Sequence, residues 1–367
     1  MTNKIAQRPF TPNYAIPPGD SLIELLEALG LSQADLAERT GRPKKTINEI
    51  AKGKAAITPE TALQFERVLG VPSSYWNALE QNYRAALARI DERQRLSQHI
   101  DWLSGFPITE MIRRAWIKAR NDKVELVEEL LSFFGVASPD AWNDVWCRGK
   151  EATAFRKSPT HDSNELSLTA TWLRRGELEG RKVNCAAFDA TKFKTALAQI
   201  RPLTAHQDIN TAIKTTIETC AAAGVAVVLV QEFPKLGVCG ATRWLSSEKA
   251  LIQLSLHYKR HDQLWFSFFH EAGHILLHGK RDIFVEQKKA SNALEEEEAN
   301  QFAADLLIPP ETYRTFVAGG DYSAVAIADF AKSLGIAPSI VVGRLQHDKV
   351  ISFSERNEFR VRVDWAK

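Results

Sequence analysis

Apolar positions recur at helical spacing through most of the chain. Leu22, Leu25, Leu26 and Leu29 share one face of a predicted helix that Gly30 closes. Asp20 is its expected N-cap, after a Pro-rich lead-in over residues 1–19. A second short helix opens at Ser32, with Asp35 three positions on to complete a capping box and Gly41 to end it. A third is predicted from about Pro43 to Lys52, a fourth from Thr58-Pro59 to Gly70, and a fifth from Val71 to about Arg95. In the fifth, Trp76, Leu79, Tyr83, Leu87 and Ile90 form one stripe, suited to a core or a dimer seam. Amphipathic helices follow over Ile112–Ile117, Val124–Gly135, Glu165–Arg175, Thr191–Gln199 and Ile209–Ala223. At Gly224 the texture changes, and Val225–Val230, Gly240–Leu245 and Ala250–Leu256 read as strands. Helical spacing returns over 265–278, 299–307, Tyr322–Leu334 and Pro338–His347, and Arg360–Asp364 alternates as a strand does. The expected class is α+β and mostly helical: a helical bundle over 1–95, a helical middle region over 96–220, and a C-terminal domain with a short sheet over 221–367.

Composition narrows this little. With 367 residues the chain has room for two or three cores. A net charge of +2 excludes a partner captured by global charge, so any nucleic-acid contact must be local. Cys147, Cys185, Cys220 and Cys239 are widely spaced without a C-x-x-C pair, which fits a reducing compartment. The N-terminus lacks a signal-peptide core, and the most apolar stretch, Ala221–Val230, is too short to span a bilayer. The expectation is a cytoplasmic protein with no membrane partner. Trp102, Trp116, Trp142, Trp146 and Trp172 are expected in the core.

The chemistry concentrates in His270-Glu271-Ala272-Gly273-His274, an H-E-x-x-H sequence. On a helix, positions i and i+4 stack, so both imidazoles point one way and can share a Zn²⁺. Glu271 stands beside them as the candidate general base. The neighbours Phe268, Phe269, Ile275 and Leu276 are apolar, as a buried metal helix requires. A catalytic zinc takes three protein ligands and keeps one open position. An acidic residue at the start of a second buried helix, whose apolar face is Ala299, Phe302, Ala303, Leu306 and Leu307, is a natural third. Together with Glu296-x-x-Ala299-Asn300 and Leu306-Leu-Ile-Pro309, the motif resembles the ImmA/IrrE family of zinc metallopeptidases, with a zincin-like domain. The resemblance implies Glu296 as third ligand, with Glu295 and Glu298 as neighbours able to replace it. It also implies Ala250–Leu256 as the edge strand that holds a peptide. His278, one turn further, reads as a supporting histidine. Cys239 reads as a buried apolar cysteine, while His257, Tyr258 and Arg243 are candidates for oxyanion stabilisation by sequence proximity.

The N-terminal helices carry a second resemblance. Leu31-Ser-Gln, Leu36-Ala37 and Gly41, followed by Ile47-x-x-Ile50-x-x-Gly53, are similar to the XRE-type helix-turn-helix, and within it to HigA antitoxins. A recognition helix enters the major groove by its N-terminal end. Here that end offers Lys44, Lys45, Thr46 and Asn48, flanked by Arg42 and Lys52, and Glu49 is the one acid between Arg42 and Lys54. The resemblance implies double-stranded operator DNA and a homodimer. Two functions follow as expectations. One is a regulator whose zinc peptidase cleaves a repressor protein or itself. The other is a HigA-like antitoxin or autorepressor whose zinc domain senses metal or binds a toxin.

Overall fold

The computed structural model describes residues 14–148, 163–279, 284–287 and 293–365. Residues 1–13 of the lead-in expected over 1–19 lie outside them. The chain forms two compact units, Met1–Ile100 with Asp122–Val124, and Asp101–Asn121 with Glu125–Lys367.

The first unit holds α1 (Pro18–Leu29), α2 (Gln33–Thr40), α3 (Lys44–Ala51), α4 (Pro59–Leu69) and α5 (Ser73–Ser97). Leu22, Leu36, Ile47, Phe65 and Trp76 meet in its core, fully buried. The predicted capping box forms: the Asp35 N–H donates to Ser32 Oγ, and the Ser32 N–H donates to Asp35 Oδ2 at 2.8 Å. Asp20 is not a cap. Pro18, whose fixed φ suits a first helical position, opens α1, so Asp20 falls inside the first turn with its N–H bonded to the Pro17 carbonyl. On α5 the expected stripe divides. Trp76 is core and meets Phe65 edge-on at 5.4 Å, whereas Tyr83, Leu87 and Ile90 are half-buried.

From residue 108 onward the elements are α6 (Ile108–Arg113), α7 (Lys123–Phe134), α8 (Pro139–Trp142), α9 (Ser163–Lys182), α10 (Ala190–Ile200), α11 (Ile209–Ala222), β1 (Val225–Leu229), β2 (Val238–Ser246), β3 (Lys249–Leu254), α12 (His261–Leu277), β4 (Phe284–Gln287), α13 (Ala293–Leu307), α14 (Pro310–Gly319), α15 (Ala324–Leu334) and α16 (Pro338–His347). The helix expected over Ile112–Ile117 instead ends at Arg113, because Ala115 takes a left-handed φ of 54°. The turn lets the Arg114 guanidinium sit over Trp116 and Phe233 and donate to the carbonyls of Gln231 and Glu232. Arg360–Asp364 forms no strand; one isolated bridge joins Arg260 and Arg362.

The sheet order is β1-β3-β2-β4, with β1 parallel to β3 and β2 antiparallel to both β3 and β4. This corrects the edge-strand expectation: β3 pairs on both sides. Its residues Ala250 to Leu254 are buried on both faces, the pattern of an interior strand. α12 packs on the face of Ile252 and Leu254, through Phe268, Phe269 and Ala272. α9 lies on the other face. A Cβ on Gly176 would stand 1.6 Å from Gln253 Oε1, and one on Gly180 2.7 Å from Leu251 Cδ1. Gln253 Nε2 donates to the Trp172 carbonyl at 2.8 Å, and Trp172 Nε1 to the Val230 carbonyl at 2.9 Å. The middle helix α9 thus belongs to the same unit as the sheet. Of the five tryptophans expected inside, Trp142, Trp146 and Trp172 are buried, and Trp102 and Trp116 are half-buried.

Replacing Gly176 sets helix propensity, worth about 1 kcal/mol in favour of substitution, against overpacking of roughly 1–3 kcal/mol or more. The overlap with a buried glutamine decides it. Gly176→Leu is expected to lower unfolding stability by about 2 kcal/mol, read as a reduced urea midpoint.

Candidate metal centre

α12 is buried along most of its length, and α13 runs beside it. Small residues set their separation. A Cβ on Gly273 would lie 3.3 Å from Ala299 Cα and 3.1 Å from the Phe302 ring, and Ala299 is fully buried. At this distance the first turn of α13 reaches the histidine face of α12. His270 Nε2 and His274 Nε2 stand 3.0 Å apart. Glu296 Oε2 is 3.3 Å from His270 Nε2, and Glu296 Oε1 is 3.6 Å from His274 Nε2. Among the described residues, His270, His274 and Glu296 form the cluster able to hold a metal ion.

The donor set fits zinc. Tetrahedral ligands at about 2.0–2.1 Å from an ion lie roughly 3.3 Å from one another, and the 3.0 Å between the two imidazole nitrogens and the 3.3 Å from His270 Nε2 to Glu296 Oε2 are close to that value. Burial, followed by repulsion from His270 and His278, pushes the His274 pKa down to about 2, so its ring is neutral with a lone pair to give. The outer ring nitrogens are engaged as well. His270 Nδ1 is 3.0 Å from Asn300 Oδ1, and His274 Nδ1 is 2.9 Å from His278 Nδ1. His278 Nε2 meets Glu298 Oε2 at 3.0 Å. Such contacts fix tautomer and ring orientation. They also separate the glutamates: Glu296 faces the histidine pair, while Glu298 supports His278.

Glu271 is fully buried against β2. The Thr242 hydroxyl lies 2.6 Å from Glu271 Oε2 and 3.0 Å from the Glu271 carbonyl. Gly240, on the same face two residues earlier, leaves the space the carboxylate occupies: a Cβ there would be 2.5 Å from Oε1. Arg243 points the other way, as strand alternation requires, and pairs with Glu177 of α9 at 3.5 Å. It is therefore not in this site. His257 faces Glu232 at 3.8 Å. Tyr258 and Cys239 lie in the wall of a neighbouring cavity. The sequence offered no signal for Thr242 or Gly240. Asn300 was visible only as a motif position sharing a helix face with Glu296.

In the first unit, Ile47, Ile50 and Ala51 bury one side of α3. Lys44, Lys45 and Lys52 are exposed on the other, and Thr46 and Asn48 are half-exposed. Lys45 is 85% exposed and 3.8 Å from Glu49, a pair of little energetic weight. Asn48 Nδ2 donates to Gln33 Oε1 of α2 at 3.3 Å, and Arg42 Nε donates to Gln64 of α4.

Comparison with known proteins agrees with both units. A helix-turn-helix family model matches residues 22–76, and the IrrE N-terminal-like domain of peptidase family M78 matches residues 227–345. Virulence-associated protein A of Dichelobacter nodosus is 34% identical over 79 residues, which are 20% of this chain and 76% of that protein. The HTH-type transcriptional regulator YddM of Escherichia coli is 32% identical over 71 residues, 19% of this chain and 76% of that one. A solved addiction module antidote protein of the HigA family from Coxiella burnetii shares 27% identity over 23% of this chain and 92% of its own, with a TM-score of 0.22. The chain belongs to the helix-turn-helix regulators. Its particular form joins that DNA-binding domain at the N-terminus to an M78 peptidase-family domain at the C-terminus.

His270→Ala should abolish stoichiometric zinc in the purified protein. Asn300→Ala and His278→Ala should each weaken zinc binding by about 10–100-fold, measured by competition with a chelating dye.

Proposed function

We propose that this protein is a DNA-binding transcriptional regulator whose C-terminal domain is a zinc-dependent endopeptidase, acting on a repressor protein or on the chain itself. The observation that carries the reading is the convergence of two buried imidazoles and one carboxylate beside a buried glutamate. When bound, zinc lowers the pKa of a water towards neutrality and polarises a carbonyl oxygen. His270, His274 and Glu296 would hold the ion, and Asn300 and His278 orient the two rings. Glu271 accepts the proton of the attacking water and returns it to the leaving amine, as a positioned general base and acid does. The Thr242 hydroxyl fixes the Glu271 carboxylate against β2.

On the DNA side, the N-terminal end of α3 enters the major groove. Lys44, Lys45 and Lys52 contact phosphates, Thr46 lies against the backbone and Asn48 reaches a base edge, with Arg42 at the entry. A homodimer on a two-fold operator suits this class of domain, and the half-buried Tyr83, Leu87 and Ile90 of α5 are the residues for its seam.

Intact-mass spectrometry of the zinc-loaded protein, incubated alone and with candidate repressors, tests the catalytic reading against Glu271→Gln. Fragments should form with Glu271 and disappear with glutamine. Absence of fragments in every mixture, with zinc bound, would replace the peptidase by a regulator that senses metal or binds a toxin. For the DNA reading, Lys45→Ala combined with Asn48→Ala should reduce operator affinity at least about tenfold in a salt-matched gel shift, with the circular dichroism spectrum retained.

A further inference from the structure

Phe284 and Val285 favour an extended backbone, and they open β4, a strand of four residues in the segment that joins α12 to α13. Among the described residues β4 ends the sheet and pairs with β2 alone. Its register sets Phe284 opposite Thr242, Val285 opposite Ala241 and Glu286 opposite Gly240. Thr242 and Gly240 are the two positions that accommodate the Glu271 carboxylate, one by a hydroxyl at 2.6 Å and one by having no Cβ. β4 therefore runs past the buried glutamate, one strand spacing of about 4.8 Å from its two supports.

A general base works within hydrogen-bond reach of the proton it takes, directly or through one water. A peptide to be cut must bring its backbone that close to Glu271. An extended peptide finds a row of backbone partners at a sheet edge. Of the two ends of this sheet, β1 is separated from β2 by β3. The edge beside Glu271 is that of β2, and the chain itself fills it.

The filling strand is lightly held. β3 has a strand on each side and a helix on each face. β4 packs on β2 and, to a lesser extent, on α12. Its ladder is irregular between Val238 and Gly240. A short outer strand with one partner belongs to the part of a structure that opens at least cost. Opening it does not require the metal cluster to move, because Gly273 and Ala299 join α12 to α13 away from the sheet edge.

We propose that β4 is an internal stand-in for the substrate: it occupies the edge of β2, and an extended segment of another protein reaches Glu271 by displacing it. The proposal deepens the peptidase reading and rests on it for the word substrate. Its test does not require turnover. The probe is a fluorescein-labelled peptide with the sequence of residues 281–289, Arg-Asp-Ile-Phe-Val-Glu-Gln-Lys-Lys. Its binding is followed by anisotropy in the zinc-loaded full chain bearing Glu271→Gln, with β4 intact or erased by Phe284→Gly, Val285→Ser, Glu286→Gly and Gln287→Ser. An occupied edge lowers apparent affinity by the fraction of time it is open, so the erased chain should bind at least about tenfold tighter. Successive N–H groups of a strand point to opposite edges. Peptides N-methylated at 284 and 286, or at 283, 285 and 287, should therefore differ: one pattern abolishes binding and the other spares it. Zinc content and thermal melting confirm the fold; if the erased chain does not melt cooperatively, Phe284→Gly with Glu286→Gly takes its place and the same ratio is read. Equal affinity of the folded chains, failure of both to bind, or indifference to both methylation patterns overturns the proposal, even where the unsubstituted protein produces fragments from a repressor. The expected ratio without fragments in any mixture keeps β4 as the occupant of a peptide-binding edge and removes the peptidase.

Discussion

Everything at the metal centre depends on how closely α12 and α13 approach. Gly273 and Ala299 are the pair that permits it, since a β-carbon at 273 would already press on the Ala299 backbone. Interiors are close-packed, so one methylene at such a contact is felt by its surroundings. The metal-capable cluster draws two residues from one helix and one from the other. The same approach brings Asn300 to His270 and Glu298 to His278. The support of the rings is therefore a product of the same packing as the cluster itself.

β2 separates two kinds of electrostatics. On its α12 face, Thr242 and Gly240 accommodate the single carboxylate of Glu271. On its α9 face, Arg243 joins Arg174 and Arg181 around Glu177. Burial works to raise the Glu177 pKa, but Arg243, Arg174 and Arg181 outweigh it and hold the carboxyl below its ordinary value. Glu177 is buried, and removing a single partner from such a group is more disruptive than never having built the pair. The Arg243 guanidinium is thereby committed to structure. The period-two geometry of one strand keeps it off the metal face.

What was legible in the sequence was what is local. The H-E-x-x-H pair needs only the helical repeat, and α12 delivers it. The capping box at Ser32, the Thr58-Pro59 start of α4 and the span of α16 follow from residues within a few positions of each other. Glu296 was legible only through resemblance, because four consecutive glutamates give a helix start no internal reason to prefer one. The docking of α13 supplies that reason. Strand order was not legible at all. An apolar run announces a buried strand, but whether it lies at an edge depends on partners elsewhere in the chain, and β3 proved interior. Thr242 is 29 residues from Glu271 and carries no motif. The end of α6 was hidden for the same reason: Ala115 turns left-handed in a setting where Arg114 reaches carbonyls 117 and 118 residues away.

The division of the cluster between two helices has a thermodynamic side. An ion that binds the docked pair and not the separated one shifts the docking equilibrium by mass action. At a free concentration one hundred times its Kd it would add about 2.7 kcal/mol, a sizeable share of what holds an ordinary domain together. The rigidity of this unit then becomes a variable set from outside the chain. Its susceptibility to unfolding would then follow the free concentration of any ion that the cluster binds.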